Sequence, residues 1–420
     1  MNIPLKKANI LLPKNTDMSK WSVVACDQFT SEPKYWEEVE KIVSNNPSTL
    51  NLTLPEIYLE SDNVNERINK INENMKELIN NDFFTECKDS MFYIKRTQSD
   101  GKVREGIIGM VDLEDYSYEM GSTSLIRATE KTVLERIPPR VRVRENALLE
   151  LPHIMILIDD EKETIIESLK NKVNDSNKVY DFDLMQNGGH ITGYTLDDNA
   201  SNEVIKGLEA LCDKEYFNKK YNVENKEILL FAMGDGNHSL ATAKACYENL
   251  KKTMSEEEYL NHPARYALVE IVNLHSKALE FEAIHRVVFN VNAEHLLNEL
   301  SKYYNISYSE VDGQKIEYVT NEKEGYLWIT NPKSNLAVGS LQIFLDSYLK
   351  EFGGKIDYVH GDSVTKELGR KEGNISFLLP AMRKDELFRT VILDGALPRK
   401  TFSMGHGNDK RYYLESRKIK

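Results

Sequence analysis

Residues 228–250, ILLFAMGDGNHSLATAKACYENL, constrain the fold more than any other stretch of the chain. The stretch opens with a short apolar run bounded by glycine, which predicts a buried strand over 228–233. Gly234 and Gly236 then allow a tight turn, and the helix formers of 239–250 predict a helix with one buried face. A strand, a glycine-rich turn and a helix in this order present backbone N–H groups and a helix dipole to an anion.

The polar residues of this turn add candidate chemistry. Asp235, Asn237 and His238 offer acid–base, metal-binding or orienting groups on one short segment. The turn lacks the Gly-Lys-Ser/Thr ending of a P-loop and the glycine spacing of a dinucleotide fingerprint. An ordinary strand-to-helix turn, with Ser239 or Asn237 as the helix N-cap, is the alternative interpretation, and local physics leaves both open.

Length, charge and cysteine usage exclude several classes of protein. A chain of 420 residues predicts two or three subdomains. The net charge of −13 and the pI of about 5.4 disfavour a nucleic-acid partner, although a local basic pocket for a small anion is compatible with them. Four dispersed cysteines without a CxxC motif predict reduced thiols. Without a membrane-spanning apolar run or a signal peptide, we expect a cytoplasmic protein that does not enter a membrane.

The central turn resembles the Asp-Gly-His-His-Arg segment of domain-of-unknown-function family 1015, a large uncharacterised bacterial and archaeal family. Asp235, Gly236 and His238 match that segment, while Asn237 stands at its first His and Ser239 stands at its Arg. The segment is similar to the nucleotide-phosphate motif of the ParB/sulfiredoxin superfamily, which includes free serine kinases. The resemblance spans roughly the whole chain and implies an α+β fold, with mixed sheets, a ParB/sulfiredoxin-like core and an appended C-terminal α/β region.

The expected organisation has three regions. They are an N-terminal α+β region over 1–160, a central ParB/sulfiredoxin-like region with the GDGNH turn over 161–292, and a C-terminal α/β region over 293–420. Periodicity predicts helices over 32–44, 164–173, 293–303 and 340–352, and a hairpin of strands over 92–97 and 103–113.

A basic segment precedes the centre of the chain and is unusual in an acidic protein. Its five arginines are Arg127, Arg136, Arg140, Arg142 and Arg144. If the segment is an extended strand, the last three share one face and form an anion-binding wall. A solvated face with salt bridges is the alternative. The family carries His-Glu-x-Thr followed by a basic segment here, so Glu130 and Thr132 match it and are further candidates, with Thr129 replacing the His.

Three other places supply candidates. Asp27 follows a predicted strand over 23–26 and resembles the Asp of the family's Val-Ala-Pro-Pro-Tyr-Asp segment, with a capping role as the alternative. His285 and Arg286 lie in a predicted buried strand at the family's Thr-His-Arg segment, and Arg286 would replace the arginine that is missing after His238. Arg399 and Lys400 stand in a tail similar to the family's terminal Pro-Lys-Ser/Thr segment.

Three functions fit these residues. The first is phosphoryl transfer between a nucleotide, ATP or ADP with Mg²⁺, and a small hydroxylated metabolite such as serine, with Asp235, His238 and Asp27 as catalytic residues. The second is a nucleotide-responsive binding protein without turnover. The third is a metal-dependent hydrolase using Asp235, His238, His285 and His360, which no recognised ligand spacing supports, so we predict no metal site. The partner expected from the first two is a small phosphorylated ligand, and the sequence does not fix the oligomeric state.

Overall fold

The computed structural model describes residues 2–30, 32–119, 121–398, 400–405 and 407–420. It divides into two compact units. Unit 1 comprises Met1–Ala128, Thr132–Leu279 and His406–Lys420, and unit 2 comprises Thr129–Lys131 and Glu280–Gly405. The three regions predicted from the sequence stay a prediction. Among the helices of the described residues, none is long and apolar enough to cross a membrane.

The secondary structure alternates between strands and helices along the described chain. The strands are β1 Leu5–Lys6, β2 Ala8–Pro13, β3 Val23–Val24, β4 Phe84–Ser90, β5 Phe92–Thr97, β6 Val103–Asp112, β7 Tyr116–Ser117, β8 Ile126–Arg127, β9 Leu149–Glu150, β10 Met155–Ile158, β11 Lys178–Asp183, β12 His190–Thr195, β13 Phe231–Asp235, β14 Tyr266–Asn273, β15 Phe281–Phe289, β16 Ile306–Ser307, β17 Gln314–Thr320, β18 Glu324–Ile329, β19 Lys355–His360, β20 Asn374–Leu378, β21 Phe402–Met404, β22 Tyr412–Tyr413 and β23 Arg417–Lys418.

The α-helices are α1 Met18–Trp21, α2 Pro33–Val43, α3 Val64–Asn80, α4 Ile137–Arg144, α5 Asp198–Leu211, α6 Lys214–Tyr221, α7 Asn237–Lys251, α8 Glu256–Asn261, α9 Ala293–Tyr303, α10 Ala337–Phe352, α11 Asp362–Gly369 and α12 Lys384–Asp394. Short 3₁₀ helices cover Thr49–Asn51, Glu56–Tyr58, Leu113–Asp115, Leu134–Arg136, Glu167–Asn171, Asp175–Asn177, Pro263–Arg265 and Gly407–Asp409.

A ten-stranded mixed sheet forms the centre of unit 1. Its order is β11-β12-β5-β6-β14-β10-β13-β8-β7, with β1 also paired to β6. β10 runs parallel to β14 but antiparallel to β13, with Met155 opposite Asp235. This register places the residues that precede β10 beside the end of β13, where the glycine-rich turn begins.

Helices α2 and α3 supply two hydrophobic clusters of unit 1. Trp36, Val39 and Val43 of α2 pack with buried residues of β5, β6 and β14. The apolar face of α3, spaced three and four residues apart as helix geometry requires, packs around Trp21 and Leu52.

The C-terminal segment of unit 1 is fixed by buried ion pairs. Glu270 of β14 is fully buried and lies between Arg104 (Nε–Oε1 3.0 Å) and Arg411 (Nη1–Oε2 2.7 Å). Arg411 also pairs with Glu415 at 2.5 Å. A buried carboxylate needs such partners, because desolvation of an unpaired charge is very unfavourable. The pairs hold residues 407–420 against the sheet.

Unit 2 contains an antiparallel sheet with the order β16-β18-β17-β20-β15-β19, and β21 also pairs with β15. Its core includes apolar residues of β15, β17 and β20 and of helices α9, α10 and α12. The predicted α+β class with mixed sheets is therefore confirmed.

Most of the predicted elements are also confirmed, including the β5–β6 hairpin and helices α2, α9 and α10. The helix predicted over 164–173 is wrong, because that stretch holds only the 3₁₀ helix Glu167–Asn171. Asp160 explains part of the difference. Its carboxylate accepts hydrogen bonds from the backbone N–H groups of Thr164 (2.7 Å) and Ile165 (2.9 Å), which favours a side-chain-capped turn over a continuous helix.

Candidate functional site

The predicted strand, turn and helix around residue 235 are present, and one glycine sets their geometry. β13 ends at Asp235, Gly236 adopts the left-handed conformation (φ 75°), and α7 begins at Asn237. A Cβ at Gly236 would lie 3.0 Å from the Cα of Ile154, too close for an ordinary contact. Any other residue would therefore clash with the backbone of Ile154 and would also be strained by the positive φ. Only glycine suits this position, and the chain therefore turns sharply into α7.

The N-cap predictions are wrong. Gly236 is the N-cap of α7, without a side-chain cap, and neither Ser239 nor Asn237 takes that place. The helix begins two residues earlier than predicted, so His238 is the second residue of α7 rather than a residue before it. Two buried polar atoms at this helix end, Oδ1 of Asn237 and Nε2 of His238, have no hydrogen-bond partner among the described residues.

The field at His238 is positive. Burial lowers the pKa of its imidazole, Arg140 and Arg136 lower it further, and Asp27 opposes them, with a resulting pKa of about 4. His238 is therefore neutral at pH 7. The same guanidinium groups that disfavour an imidazolium favour an anion at this place.

Asp235 has a different partner from the one expected. Its carboxylate lies 3.2 Å from Nζ of Lys410 and accepts the N–H of Gly236 at 2.8 Å. Burial alone would favour the protonated acid, but the ammonium group of Lys410 and the N–H of Gly236 oppose burial, and the pKa of Asp235 lies below its ordinary value. Asp235 is thus an ionised group that orients Lys410 and the turn, which makes it a weak proton acceptor.

The arginine-rich segment is a helix, so the prediction of an extended strand with three arginines on one face is wrong. α4 has proline at its first positions, and proline favours helix starts because its φ is already helical. Successive residues of a helix turn by about 100°, so Arg140 and Arg144 share a face while Arg142 does not. Arg142 is exposed.

The two arginines on the shared face have acidic partners. Nη2 of Arg140 pairs with Oε1 of Glu56, and Nη2 of Arg144 lies 2.5 Å from Oε2 of Glu150. Helix α4 packs against α7, which explains why Arg140 reaches the field of His238. The structure therefore brings Arg140 to the turn and gives Arg142 no part in it.

Besides Lys410, two residues that sequence reasoning missed lie at the turn, namely His153 and Tyr413. Nε2 of His153 is 2.9 Å from Oγ of Ser239, and Nδ1 of His153 is 3.1 Å from the hydroxyl of Tyr413. Tyr413 in turn accepts the backbone N–H of Cys26 at 3.1 Å. The only signal for His153 in the sequence is its place immediately before the apolar run of β10, and no local pattern singles out Tyr413 or Lys410.

A cleft in unit 1 joins these groups to an apolar wall. Its polar side includes Cys26, Glu56, Arg140, His153, Ser239 and Tyr413. Its apolar side includes Leu52, Leu54, Leu59, Ile71, Met75, Val143, Ala147, Leu149 and Leu151. A ligand with an anionic end and an apolar body fits such a lining.

Asp27 lies in the turn that follows β3, as predicted. Its carboxylate accepts a hydrogen bond from Nε2 of Gln28 at 3.0 Å and raises the pKa of His238, which places it near the start of α7. The structure thus brings Asp27, His238, Ser239 and Arg140 together in unit 1.

The predicted residues of unit 2 have partners within that unit. His285 accepts the N–H of Leu379 at Nδ1 (3.1 Å), and its Nε2 lies 2.9 Å from Oδ1 of Asp362. Burial lowers the pKa of His285, so a neutral ring suits this pair of contacts.

Arg286 is fully buried and donates to Oε1 of Gln342 (3.1 Å) and to the carbonyl oxygens of Ile284 (2.6 Å) and Lys400 (2.8 Å). These contacts give it a structural role in unit 2. The prediction that it replaces the arginine missing after His238 stays a prediction.

The remaining candidates are divided between the units. Glu130 bridges to Leu397 in unit 2, and Lys400 is exposed there with φ 56°. Thr132 is buried in unit 1, where its Oγ1 lacks a hydrogen-bond partner among the described residues. Arg399 lies outside the described residues.

One group of side chains in the described residues has a spacing that could hold a metal ion, namely Asp159, Glu161 and His275. It does not include the four residues of the hydrolase hypothesis. Lys220 already lies 2.8 Å from Oδ1 of Asp159, so a cation is in place beside these carboxylates. A divalent ion would have to compete with it.

Comparisons with known proteins complete this description. No curated protein matches the chain in sequence. Among solved structures, a free serine kinase mutant in complex with ADP is similar with a TM-score of 0.40 and 9% identity, covering 76% of this chain and 93% of that one. A conserved hypothetical protein from Pyrococcus furiosus has a TM-score of 0.37 and 8% identity, covering 74% and 94%.

A C-terminally truncated SbnI from Staphylococcus aureus has a TM-score of 0.36 and 8% identity, covering 71% of this chain and 82% of that one. The model of a protein family matches residues 8–348, a span that contains the turn, α4 and β10. The chain belongs to this family, which is described as "Protein of unknown function (DUF1015)".

Proposed function

We propose that unit 1 binds a phosphate-bearing ligand at the N-terminus of α7 and transfers a phosphoryl group between a nucleotide and a small hydroxylated metabolite such as serine. One observation carries the proposal. The buried polar atoms of Asn237 and His238 at this helix end lack partners among the described residues, in a field that Arg140 and Arg136 make positive. Unsatisfied buried polar groups are unfavourable, and a bound anion would satisfy them.

The groups at the turn suit complementary roles in binding. The neutral imidazole of His238 donates a hydrogen bond to a phosphoryl oxygen, as does the hydroxyl of Ser239. Arg140 supplies positive charge, and the apolar wall of the cleft contacts the base of a nucleotide. Lys410 already occupies the carboxylate of Asp235, so a magnesium ion would be held by the phosphates of the nucleotide, whose charge it would offset when bound.

The reaction requires one proton acceptor. The hydroxyl oxygen of the metabolite attacks the terminal phosphorus, the bond from that phosphorus to the bridging oxygen breaks, and the nucleotide, one phosphate shorter, leaves with that bond's electrons. Asp27 accepts the hydroxyl proton in this scheme. We assign the role to Asp27 because Asp235 is paired with Lys410 and has a lowered pKa.

The test measures binding and turnover separately. Thermal shift with ATP, ADP and inorganic phosphate reports binding, and ³¹P NMR of ATP with a panel of small hydroxy compounds reports transfer. We expect His238→Asn, which replaces the imidazole donor with a shorter side chain, to lower turnover by about a hundredfold. Asp27→Asn removes the proton acceptor and should lower turnover by about a hundredfold or more. The control is His190→Asn, because His190 lies on β12 and contacts Asp181 and Asp183 instead.

The outcomes discriminate between the functions. Binding without any product would support the nucleotide-responsive binding protein and contradict the transfer reaction. If neither phosphate nor nucleotides shift the melting temperature, the anion site itself is wrong. Equal activity of the two site variants and the control would contradict the assigned roles.

A further inference from the structure

We propose that Tyr413 and His153 are positioning residues that make the hydroxyl of Ser239 a hydrogen-bond donor, directed at an anion on α7. The four groups form one chain. The N–H of Cys26 lies 3.1 Å from the Tyr413 oxygen, that oxygen lies 3.1 Å from Nδ1 of His153, and Nε2 of His153 lies 2.9 Å from Oγ of Ser239. The inference rests on the proposed function only for the identity of the final acceptor.

The first hydrogen bond of this series has a fixed direction, and the second follows from the stronger acceptor available to Tyr413. A backbone N–H can only donate, so the Tyr413 oxygen accepts from Cys26. Burial raises the pKa of Tyr413 well above its ordinary value, so the phenol keeps its single proton. The imidazole nitrogen of His153 is a stronger acceptor than the sulfur of Cys26, whose thiol also stays protonated because burial raises its pKa. Tyr413 therefore donates to Nδ1.

The His153 ring then sets the direction of its hydrogen bond to Ser239. A neutral imidazole that accepts at Nδ1 carries its proton at Nε2 and donates it to Oγ of Ser239. The serine hydroxyl has one proton of its own, and this proton remains for a ligand. A chain in which every group donates in one direction polarises each successive bond.

This direction determines what Ser239 recognises. A phosphoryl oxygen accepts the serine proton, whereas a ligand N–H group would have only the one remaining lone pair of Oγ as an acceptor. With the opposite direction, Ser239 would donate to His153 and present only lone pairs to the anion, which is repulsive. The tautomer of His153 therefore determines whether the turn favours an anion. His153 is only 7% exposed, so it acts on a ligand through Ser239.

The first experiment reads the tautomer in the full-length protein without any ligand. We expect ¹⁵N NMR of labelled histidine to show His153 protonated at Nε2 and unprotonated at Nδ1. In Tyr413→Phe the Nδ1 donor is lost, and the Nε2-protonated form should no longer predominate. A wild-type ring protonated at Nδ1 overturns the proposal, whatever the ligand of the site.

The second experiment is a double-mutant cycle with inorganic phosphate as the probe. Ser239→Ala and Tyr413→Phe should each weaken phosphate binding by about ten- to a hundredfold, the usual size for one hydrogen bond to a charged group. If Tyr413 acts through Ser239, Tyr413→Phe should have no further effect in the Ser239→Ala protein. A general structural role would give additive losses, which would contradict the proposal.

The matched control is Tyr412→Phe. Tyr412 is the neighbour of Tyr413 on β22, equally buried, and its hydroxyl donates to the carbonyl oxygen of Met185 at 3.0 Å rather than to His153. It should leave both the tautomer and phosphate binding unchanged. Should Tyr413→Phe fail to fold, the wild-type tautomer still decides. Ser239→Ala could also leave phosphate binding intact while the tautomer is as expected. That result would contradict the anion site at α7 but not the direction of the hydrogen bonds from Cys26 to Ser239.

Discussion

The pKa of His238 is the most direct measure of the field at the start of α7. Burial, Arg140 and Arg136 lower it from 6.5 to about 4, and Asp27 opposes them. A fall of this size corresponds to about 3 kcal/mol of preference for the neutral ring. Because the ring is only half-buried and water screens its charges, we reduce this to about 1–2 kcal/mol of stability.

Arg140→Gln should raise the pKa of His238 but leave it below 6.5, since burial is the largest cause and Arg136 remains. The substitution also frees the carboxylate of Glu56 from its ion pair, which acts in the same direction. Arg142→Gln is the control, because it removes the same charge from the exposed face of α4. NMR titration of the imidazole Hε1 signals between about pH 2.5 and 8 covers the transitions at a pKa of about 4 and at the ordinary value of 6.5.

A bound anion should also raise the pKa of His238. Saturating inorganic phosphate offsets the positive field and stabilises an imidazolium, so the pKa of His238 should rise toward 6.5 or above. Two results would refute the reasoning: a pKa that ignores both phosphate and Arg140→Gln, or one that responds equally to Arg142→Gln.

The same shift predicts a pH dependence of stability. The folded-state pKa lies below that of the unfolded chain, so the unfolded chain binds the proton first as the pH falls. The contribution of His238 is complete above about pH 6.5 and is lost as the pH falls to about 4. In wild type, His238 should account for about 1–2 kcal/mol of the unfolding free energy that is lost between neutral and acid pH. His238→Asn should lack this part of the loss, as measured by urea unfolding at each pH.

Two further predictions concern stability and are measured by urea unfolding at neutral pH. Gly236→Ala should lower the unfolding free energy by about 2–3 kcal/mol, because the strain of a positive φ adds to the 3.0 Å approach of the Cβ to Ile154. Gly101→Ala is the control and should lose only about 1 kcal/mol, because Gly101 has φ 84° but open space around the Cβ. Equal losses would contradict the steric contribution. Glu270→Gln removes the carboxylate that pairs with two buried guanidinium groups and should lower the unfolding free energy by about 3–5 kcal/mol. Glu324→Gln, in an exposed ion pair, is the control and should lose under about 1 kcal/mol. A small loss at Glu270 would show that water reaches the buried ion pairs.

Local patterns in the sequence predicted the elements that carry the site. The apolar run, the two glycines and the helix formers around residue 235 gave the strand, the turn and the helix, because each depends on neighbours in the chain. The boundaries were less accurate. The strand includes Gly234 and Asp235, and α7 begins before Ser239, because the left-handed Gly236 rather than a polar side chain starts the helix.

Nonlocal pairing could not be predicted in the same way. His153 and Ser239 are 86 residues apart, and His153 and Tyr413 are 260 apart. Their contacts depend on the register between β10 and β13 and on the placement of the C-terminal segment by Glu270. β10 and the apolar part of β13 are buried at successive positions, so neither strand has the alternation of polar and apolar residues that would specify its register.

Ser239 stands where the similar Asp-Gly-His-His-Arg segment has an arginine, and its contacts show why a motif alone does not define this candidate site. An arginine at that position would carry charge at the turn itself, whereas here the positive field at His238 comes from Arg136 and Arg140. Lys410 neutralises Asp235 from beyond the residues that the family model matches. A serine gains its role only through its neighbours, because its hydroxyl donates or accepts according to what His153 does. The chemistry of the turn is therefore set by groups from α4, from the entry to β10 and from the C-terminal segment, and substitutions there should alter anion binding while the GDGNHS turn is untouched.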